Sequence, residues 1–69
     1  MDRHEYEFLV DGALSDRVLA SFPELAALPD HGRTATRLFG ELPDTAAARG
    51  VIARLDSLGL TLLEFRRRP

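Results

Sequence analysis

Five residue types are missing from the chain of 69 residues: cysteine, lysine, asparagine, glutamine and tryptophan. The lack of cysteine excludes disulfide bonds and thiolate metal ligands. Because lysine is absent, all nine basic residues are arginine, a composition typical of a bacterium with a GC-rich genome. No apolar run is long enough to span a bilayer and no secretory signal pattern is present, so we expect a cytoplasmic protein without a membrane partner.

Length and charge restrict the fold and the partners further. We expect one domain over residues 1–69. A domain of this size buries only about 60% of the surface that its unfolded chain exposes. The domain must therefore pack very well or gain stability by binding a partner. The net charge of −2 gives no general attraction to nucleic acid or to anionic lipid.

The best-marked element is a helix between Asp44 and Gly59. Asp44 is suited to cap the first turn, and Gly59 can adopt the left-handed conformation that ends a helix. Apolar residues between them follow the spacing of one buried stripe: Ala48, Val51, Ile52, Leu55 and Leu58. We expect the helix to lie on an apolar surface. Gly50, inside the helix, is expected to mark a close approach to a second helix.

Period-two alternation predicts a strand near each end of the chain, over residues 4–10 and after Gly59. The faces expected to be buried carry Tyr6, Phe8 and Val10 in the first strand and Leu63 and Phe65 in the last. The opposite faces carry Glu5, Glu7 and Leu9 in the first strand and Leu62 and Glu64 in the last. Each strand should therefore present one side to a core and the other to solvent.

The middle of the chain predicts a short helix and two further strands. Ser15 is placed to cap a helix that stops before Pro23. The turn at residues 30–33 leads into a strand at residues 34–39, which needs an antiparallel neighbour. We interpret residues 25–29 as that neighbour, a short edge strand. Their composition favours a helix, and this alternative stays open.

The order is thus strand, helix, strand, strand, helix, strand. Two right-handed crossovers of this kind give an α+β domain with a ferredoxin-like βαββαβ pattern. We expect a four-stranded antiparallel sheet with two helices on one face. The first strand should lie at the centre, between the third and the fourth.

Several sequence blocks carry a resemblance to a known family. They are Tyr6-Glu7-Phe8 with Gly12, Leu19-Ala20-Ser21-Phe22-Pro23, Gly40-Glu41-Leu42-Pro43-Asp44, Gly50-Val51-Ile52-Ala53-Arg54-Leu55, Leu58-Gly59-Leu60-Thr61-Leu62-Leu63-Glu64 and the arginine-ended tail. In these blocks the chain resembles a family of small, uncharacterised actinobacterial proteins, over nearly its whole length. Its members usually have a more polar, alternating segment at residues 25–28, which supports the strand interpretation by similarity. The resemblance implies no activity, ligand or catalytic residue.

No residues have the spacing of a catalytic or metal site. Ser15 and Ser57 are explained by their helix positions and have no histidine nearby in sequence. His4 and His31 lack further ligands at metal spacing, so both are expected to be solvated. Neither a phosphate-binding loop nor a dinucleotide fingerprint is present. We therefore expect a non-enzymatic protein without a cofactor or a metal.

One pair of carboxylates is an exception to consider. Pairing of the first and last strands should bring Glu7 near Glu64 on the open face, where two carboxylates can act as acid and base. The same pairing should bring Glu5 near Arg66, and Arg37 is available from the third strand. Because exposed charges interact weakly, we interpret this face as a mixed-charge surface.

The open face of the sheet is the predicted interaction surface. Its expected members are an apolar centre of Leu9, Phe39 and Leu62 and a charged rim that includes Glu7, Arg37 and Glu64. An apolar centre with a charged rim is typical of protein contacts. We predict an interaction module that joins itself, as a homodimer, or another protein, as an accessory subunit. The alternative is that Leu9, Phe39 and Leu62 are ordinary apolar residues on the surface, without a partner.

Two other functions remain as alternatives. Phe39 faces outward on a central strand, as in folds that stack single-stranded RNA, but the neighbouring glutamates and the lack of lysine weaken nucleic-acid binding. The second alternative is a regulatory sensor with a small molecule at the dimer interface, by fold-level analogy alone.

Overall fold

A computed structural model describes residues 4–68 and contains six elements. They are β1 (His4–Asp11), α1 (Asp16–Leu19), β2 (Ala26–Pro29), β3 (Ala35–Leu42), α2 (Thr45–Ser57) and β4 (Leu62–Arg68). The four strands form one antiparallel sheet in the order β2-β3-β1-β4. The predicted α+β class, with a four-stranded antiparallel sheet and two helices, is confirmed. β2 and β4 form the edges of the sheet.

The core lies between the sheet and the helices. As predicted, Tyr6, Phe8 and Val10 of β1 point into it and are at most 1% exposed. They pack with buried residues from the rest of the chain: Phe22, Leu38, Leu42, Ala48, Val51 and Leu55. Half-buried residues of α1 pack against the same cluster, so both helices cover one face of the sheet.

The ends of α2 are as the sequence predicts. The backbone N–H of Ala47 donates to Asp44 Oδ1 at 2.9 Å, and Gly59 has a φ of +74°. The stripe is correct except at its last member. Leu58 is exposed because the regular helix ends at Ser57 and the chain turns there.

The close approach expected at Gly50 is wrong. A Cβ placed on Gly50 would meet no atom within 4 Å, so this glycine faces open space. The crowded glycine is Gly40 in β3, where a Cβ would lie 3.1 Å from the Glu24 carbonyl oxygen and 3.2 Å from Leu25 Cδ2. A larger residue at this position would have to displace the Glu24 carbonyl or the Leu25 side chain by a few tenths of an ångström.

The first helix is shorter than predicted and the second strand is as predicted. Ser15 accepts a hydrogen bond from the Val18 backbone N–H at 3.2 Å, which confirms the cap. α1 is one turn long and ends at Leu19, although Phe22 beyond it is still buried. The strand interpretation of residues 25–29 is confirmed by the pairing of β2 with β3, which overrides helix propensity.

A bulge in β4 overturns the predicted direction of Leu62. Leu9 of β1 lies opposite Glu64, but the next residue, Val10, lies opposite Leu62, so Leu63 is the extra residue. One extra residue exchanges the two faces of a strand. Leu62 therefore packs against the core and not on the open face, whereas Leu63 is exposed. Phe65 lies opposite Phe8 on the helix side, as predicted, but remains 42% exposed at the edge.

Candidate functional site

The register of the sheet defines its open face, because residues directly opposite each other share a face. By this register the open face carries Glu5, Glu7 and Leu9 from β1, Arg37, Phe39 and Glu41 from β3, Glu64, Arg66 and Arg68 from β4, and Ala26 and Leu28 from β2. Five of the six predicted surface residues are therefore on one face. Leu62 is the exception.

Glu7 holds two arginines over the centre of this face. Its Oε2 lies 2.7 Å from Arg37 Nε, and its Oε1 accepts a hydrogen bond from Arg68 Nη2 at 3.0 Å. β3 and β4 flank β1 on opposite sides, so a single carboxylate links three strands. Glu7 thus occupies the middle of an ion-pair cluster.

A second group of ion pairs extends the cluster through the turn after β2. Arg37 Nη2 donates to Asp30 Oδ1 at 2.8 Å, and Arg33 Nε lies 3.5 Å from Asp30 Oδ2. Arg33 Nη2 also donates to Glu64 Oε2 at 3.1 Å, and Arg66 Nη2 lies 3.7 Å from Glu64 Oε1. We call the connected set the sheet-face network: Glu7, Asp30, Arg33, Arg37, Glu64, Arg66 and Arg68.

The network is layered at two of its three carboxylates, Glu7 and Asp30, which lie below the guanidinium groups, whereas Glu64 is 48% exposed. The side chains of Glu7 and Asp30 are 11% and 12% exposed. The arginine side chains are far more exposed, at 42% for Arg37, 51% for Arg33 and 54% for Arg68. Four arginines face three carboxylates in the network, and most of the exposed charge is cationic. The network itself has one more arginine than carboxylate, but the exposed Glu5 and Glu41 lie outside it on the same face, and the chain is acidic overall.

The arginines also cover the expected apolar centre. Leu9 is only 3% exposed, although it lies on the open face. A shallow cleft above it is lined by network side chains, including Arg37 and Arg66, whose aliphatic stems can cover apolar surface. The expected exposed centre is therefore reduced to half-buried Phe39, beside the exposed Leu28 of β2.

Glu7 and Glu64 share the open face and line one cleft, as expected, but they are not directly opposite each other. Glu7 lies opposite Arg66 in the register, Glu64 lies opposite Leu9, and Glu5 lies opposite Arg68 and not Arg66. The observed pairing of β1 with β4 is shifted by two residues from one that would place Glu7 opposite Glu64. The mixed-charge interpretation of this face agrees with the observed ion pairs.

A model of the Domain of unknown function (DUF8691) matches residues 5–66 of the chain. The chain belongs to the DUF8691 family. The match runs from β1 into β4, so it includes Glu7, Asp30 and Glu64, the three carboxylates of the sheet-face network. No curated protein and no solved structure matches the chain.

A separate clamp in the DUF8691 domain was not found from the sequence. Arg54 of α2 donates to both carboxylate oxygens of Glu24, at 3.1 and 2.9 Å, and to the Ser21 carbonyl oxygen at 2.7 Å. The guanidinium also lies 5.1 Å from the centre of the Phe22 ring. Hydrogen bonds from Arg54 lower the pKa of Glu24, and the same bonds raise the pKa of Arg54. This clamp fastens α2 to the segment between α1 and β2.

Two of the polar side chains considered in the sequence have these positions in the structure. The Ser15 hydroxyl is occupied as a helix cap, and His31 is exposed in its turn. Among the described residues, no group of three histidine, cysteine or acidic side chains is placed to hold a metal ion. No helix within this range is long and apolar enough to cross a membrane.

Proposed function

We propose that this DUF8691 chain is a non-enzymatic protein-interaction module whose open sheet face binds an acidic segment of a partner protein. The layering of the sheet-face network is the observation that carries the proposal. Nearly buried carboxylates fix the positions of exposed guanidinium groups, which leaves arginine donors directed to solvent. The module acts as a homodimer or as an accessory subunit, and a cytoplasmic bacterial location remains part of this proposal.

A ferredoxin-like fold is part of the same proposal. The element order β1, α1, β2, β3, α2, β4 and the position of β1 between β3 and β4 support it. Both helices cover one face of the sheet, and within residues 4–68 no helix or strand lies on the other face. Such a fold offers a broad, rigid platform for a partner.

Arginine chemistry favours a carboxylate-bearing partner. A guanidinium can bind a carboxylate through two parallel hydrogen bonds, and it is more weakly hydrated than an ammonium group. Glu7 and Asp30 already restrain Arg37, so less side-chain entropy is lost when a partner binds. Phe39 and Leu28 supply apolar contact next to these arginines, in a combination typical of interface centres.

Sheet-to-sheet self-association through the open face is less favourable than the sequence suggests. Two copies packed in this way would bury two sets of ion pairs, and the cost of desolvating such charges can exceed the attraction between them. Leu9 would contribute little, because it is already buried within one chain. We therefore assign the open face to a different protein.

Single-stranded nucleic acid is the second candidate ligand for the same face. Half-buried Phe39 lies in one cleft with Arg37 and Arg68, so an unstacked base has an aromatic ring and cations beside it. The same cleft contains Glu5 and Glu7, and the whole chain carries a net charge of −2. These charges oppose both anionic ligands, so the comparison of the two probes below decides between them.

Fluorescence anisotropy with two labelled probes tests the proposal. We expect a deca-glutamate peptide to bind the full chain in a salt-sensitive manner, more tightly than an oligothymidylate of equal length. Arg33→Gln should weaken peptide binding several-fold, because Arg33 belongs to the network. Arg49→Gln, an identical change on the exposed side of α2, should leave binding unchanged. Tighter binding of the oligonucleotide, or equal effects of the two variants, would contradict the acidic-partner proposal.

A further inference from the structure

The two edges of the sheet differ in how they are protected. β2 has only four residues and ends at Pro29, and short edge strands with proline resist pairing with another chain. β4 has seven residues, and every one of them after Leu62 is exposed. Within the described part of the chain, no strand lies beyond β4. The backbone groups along its outer side are therefore available to an added strand.

We propose that two copies of the chain pair through antiparallel β4 strands, with the two-fold axis at Phe65. The two sheets of four strands would then form one continuous sheet of eight. This inference rests on the proposed function only because that function includes self-association. The β4 edge is separate from the open face, so an acidic partner on the open face does not occupy it.

Charge decides the register. Other registers place like charges opposite each other. An axis at residue 66 brings each Arg66 opposite the partner's Arg66, and an axis at residue 64 brings each Glu64 opposite the partner's Glu64. An axis at Phe65 instead places Glu64 opposite the partner's Arg66 and, by symmetry, Arg66 opposite the partner's Glu64. Phe65 is also the midpoint of Leu62–Arg68, so this register overlaps the whole strand.

The packing of Phe65 supports the same axis. Its ring stacks on Tyr6, with centroids 5.9 Å apart and planes 8° from parallel, and it lies 5.2 Å from the Phe8 ring. The side of the ring that faces away from Tyr6 and Phe8 is open to solvent, and Phe65 is 42% exposed. Directly opposite side chains on paired antiparallel strands are in contact, so the two Phe65 rings would cover each other. A continuous row of aromatic rings would then cross the new interface.

The symmetry has a consequence for the open face. Because Phe65 lies opposite itself, the helices of both copies lie on the same side of the joined sheet. The two sheet-face networks then lie side by side on the other face. An acidic partner would meet two sheet-face networks on one surface, which raises its effective affinity when it carries two acidic segments.

Cysteine cross-linking tests the register directly, because the natural chain contains no cysteine. Full-length Glu64→Cys and Arg66→Cys variants are mixed under mild oxidation, and the products are measured by intact mass. We expect the mixed disulfide between the two variants to dominate over both symmetric disulfides. Symmetric products in equal or greater yield, or no disulfide at all, would overturn the register.

A charge exchange tests the interface without a covalent bond. Glu64→Arg and Arg66→Glu, each alone, place like charges opposite each other, and each should weaken dimerisation at least tenfold in sedimentation equilibrium. The double variant restores opposite charges and should return to within about threefold of the natural affinity. Arg49→Glu is the control for net charge, and circular dichroism verifies that every variant is folded.

The wild type should be a dimer at millimolar concentration, and added salt should weaken it. A wild type that is monomeric at millimolar concentration, or a double variant that stays monomeric while folded, would overturn the β4 dimer. Neither result changes the expected binding of deca-glutamate to one sheet-face network. The dimer and the proposed function can therefore fail separately.

Discussion

Replacement of Glu7 by glutamine perturbs the centre of the sheet-face network with almost no change in shape. The carboxylate is 11% exposed, accepts a hydrogen bond from Arg68 Nη2 at 3.0 Å and lies 2.7 Å from Arg37 Nε in an ion pair. Glutamine retains one oxygen but places an amide N–H₂ group where the second oxygen was. That group cannot accept a hydrogen bond, so at least one guanidinium loses its buried partner.

The magnitude follows from the number of contacts and their exposure. The hydrogen bond from Arg68 to this charged group contributes about 1.5–3 kcal/mol, and the Arg37 Nε contact adds an ion pair without hydrogen-bond geometry. Both arginines are roughly half exposed and can be hydrated after the change, which reduces the cost. We expect Glu7→Gln to lower the free energy of unfolding by about 2 kcal/mol. For a domain of this size that corresponds to a fall in Tm of about 8–16 °C.

Urea and thermal unfolding measured by circular dichroism provide the assay. Glu5→Gln is the matched control, because Glu5 lies on the same strand and face but is exposed. It should change the free energy of unfolding by less than about 0.5 kcal/mol. If Glu7→Gln is no more destabilising than Glu5→Gln, the carboxylate does not anchor the arginines and the reasoning about the network is wrong.

Three further predictions concern the core, the glycines and pH, all measured by urea unfolding. Leu55→Ala should cost about 2–5 kcal/mol, because Leu55 is fully buried and the change leaves a cavity; a smaller loss would contradict the packing of α2. Gly50→Ala should stabilise by up to about 1 kcal/mol, whereas Gly40→Ala should destabilise through its contacts with Glu24 and Leu25; equal effects would refute this contrast. Because Arg54 lowers the pKa of Glu24 below its usual 4.5, Glu24 stabilises the fold above that pH, and this contribution is lost as the pH falls through the folded pKa. The stability difference between wild type and Glu24→Gln should therefore shrink below about pH 4.5, and a constant difference would refute the clamp.

Local signals predicted most of the elements. Asp44 and Gly59 mark the ends of α2 through chemistry within a few residues, and Ser15 marks the start of α1 in the same way. Alternation located β1 and its buried side. The strand at residues 26–29 was inferred because β3 needs a neighbour and by similarity to the family, against the local preference for a helix.

The errors arise from interactions that span the chain. The bulge at Leu63 has no glycine or other local signal, so the reversal that turns Leu62 inward could not be predicted from alternation. The prediction that Leu9 lies on the open face is correct. The prediction that it is exposed is wrong, since arginines from two other strands cover it. The surface was thus found from the sequence, but its layered charge depends on the register of the sheet.

Arginine side-chain NMR in the presence of deca-glutamate tests the central claim most directly, because it identifies which guanidinium groups the acidic peptide contacts. We predict that the Nε–Hε signals of Arg33, Arg37 and Arg68 shift in a saturable manner. The signals of Arg17 and Arg49, on the helix side, should not shift. Shifts of similar size at all five arginines, or no shift at the sheet-face network, would contradict the proposal that this face is a prearranged site for an acidic partner.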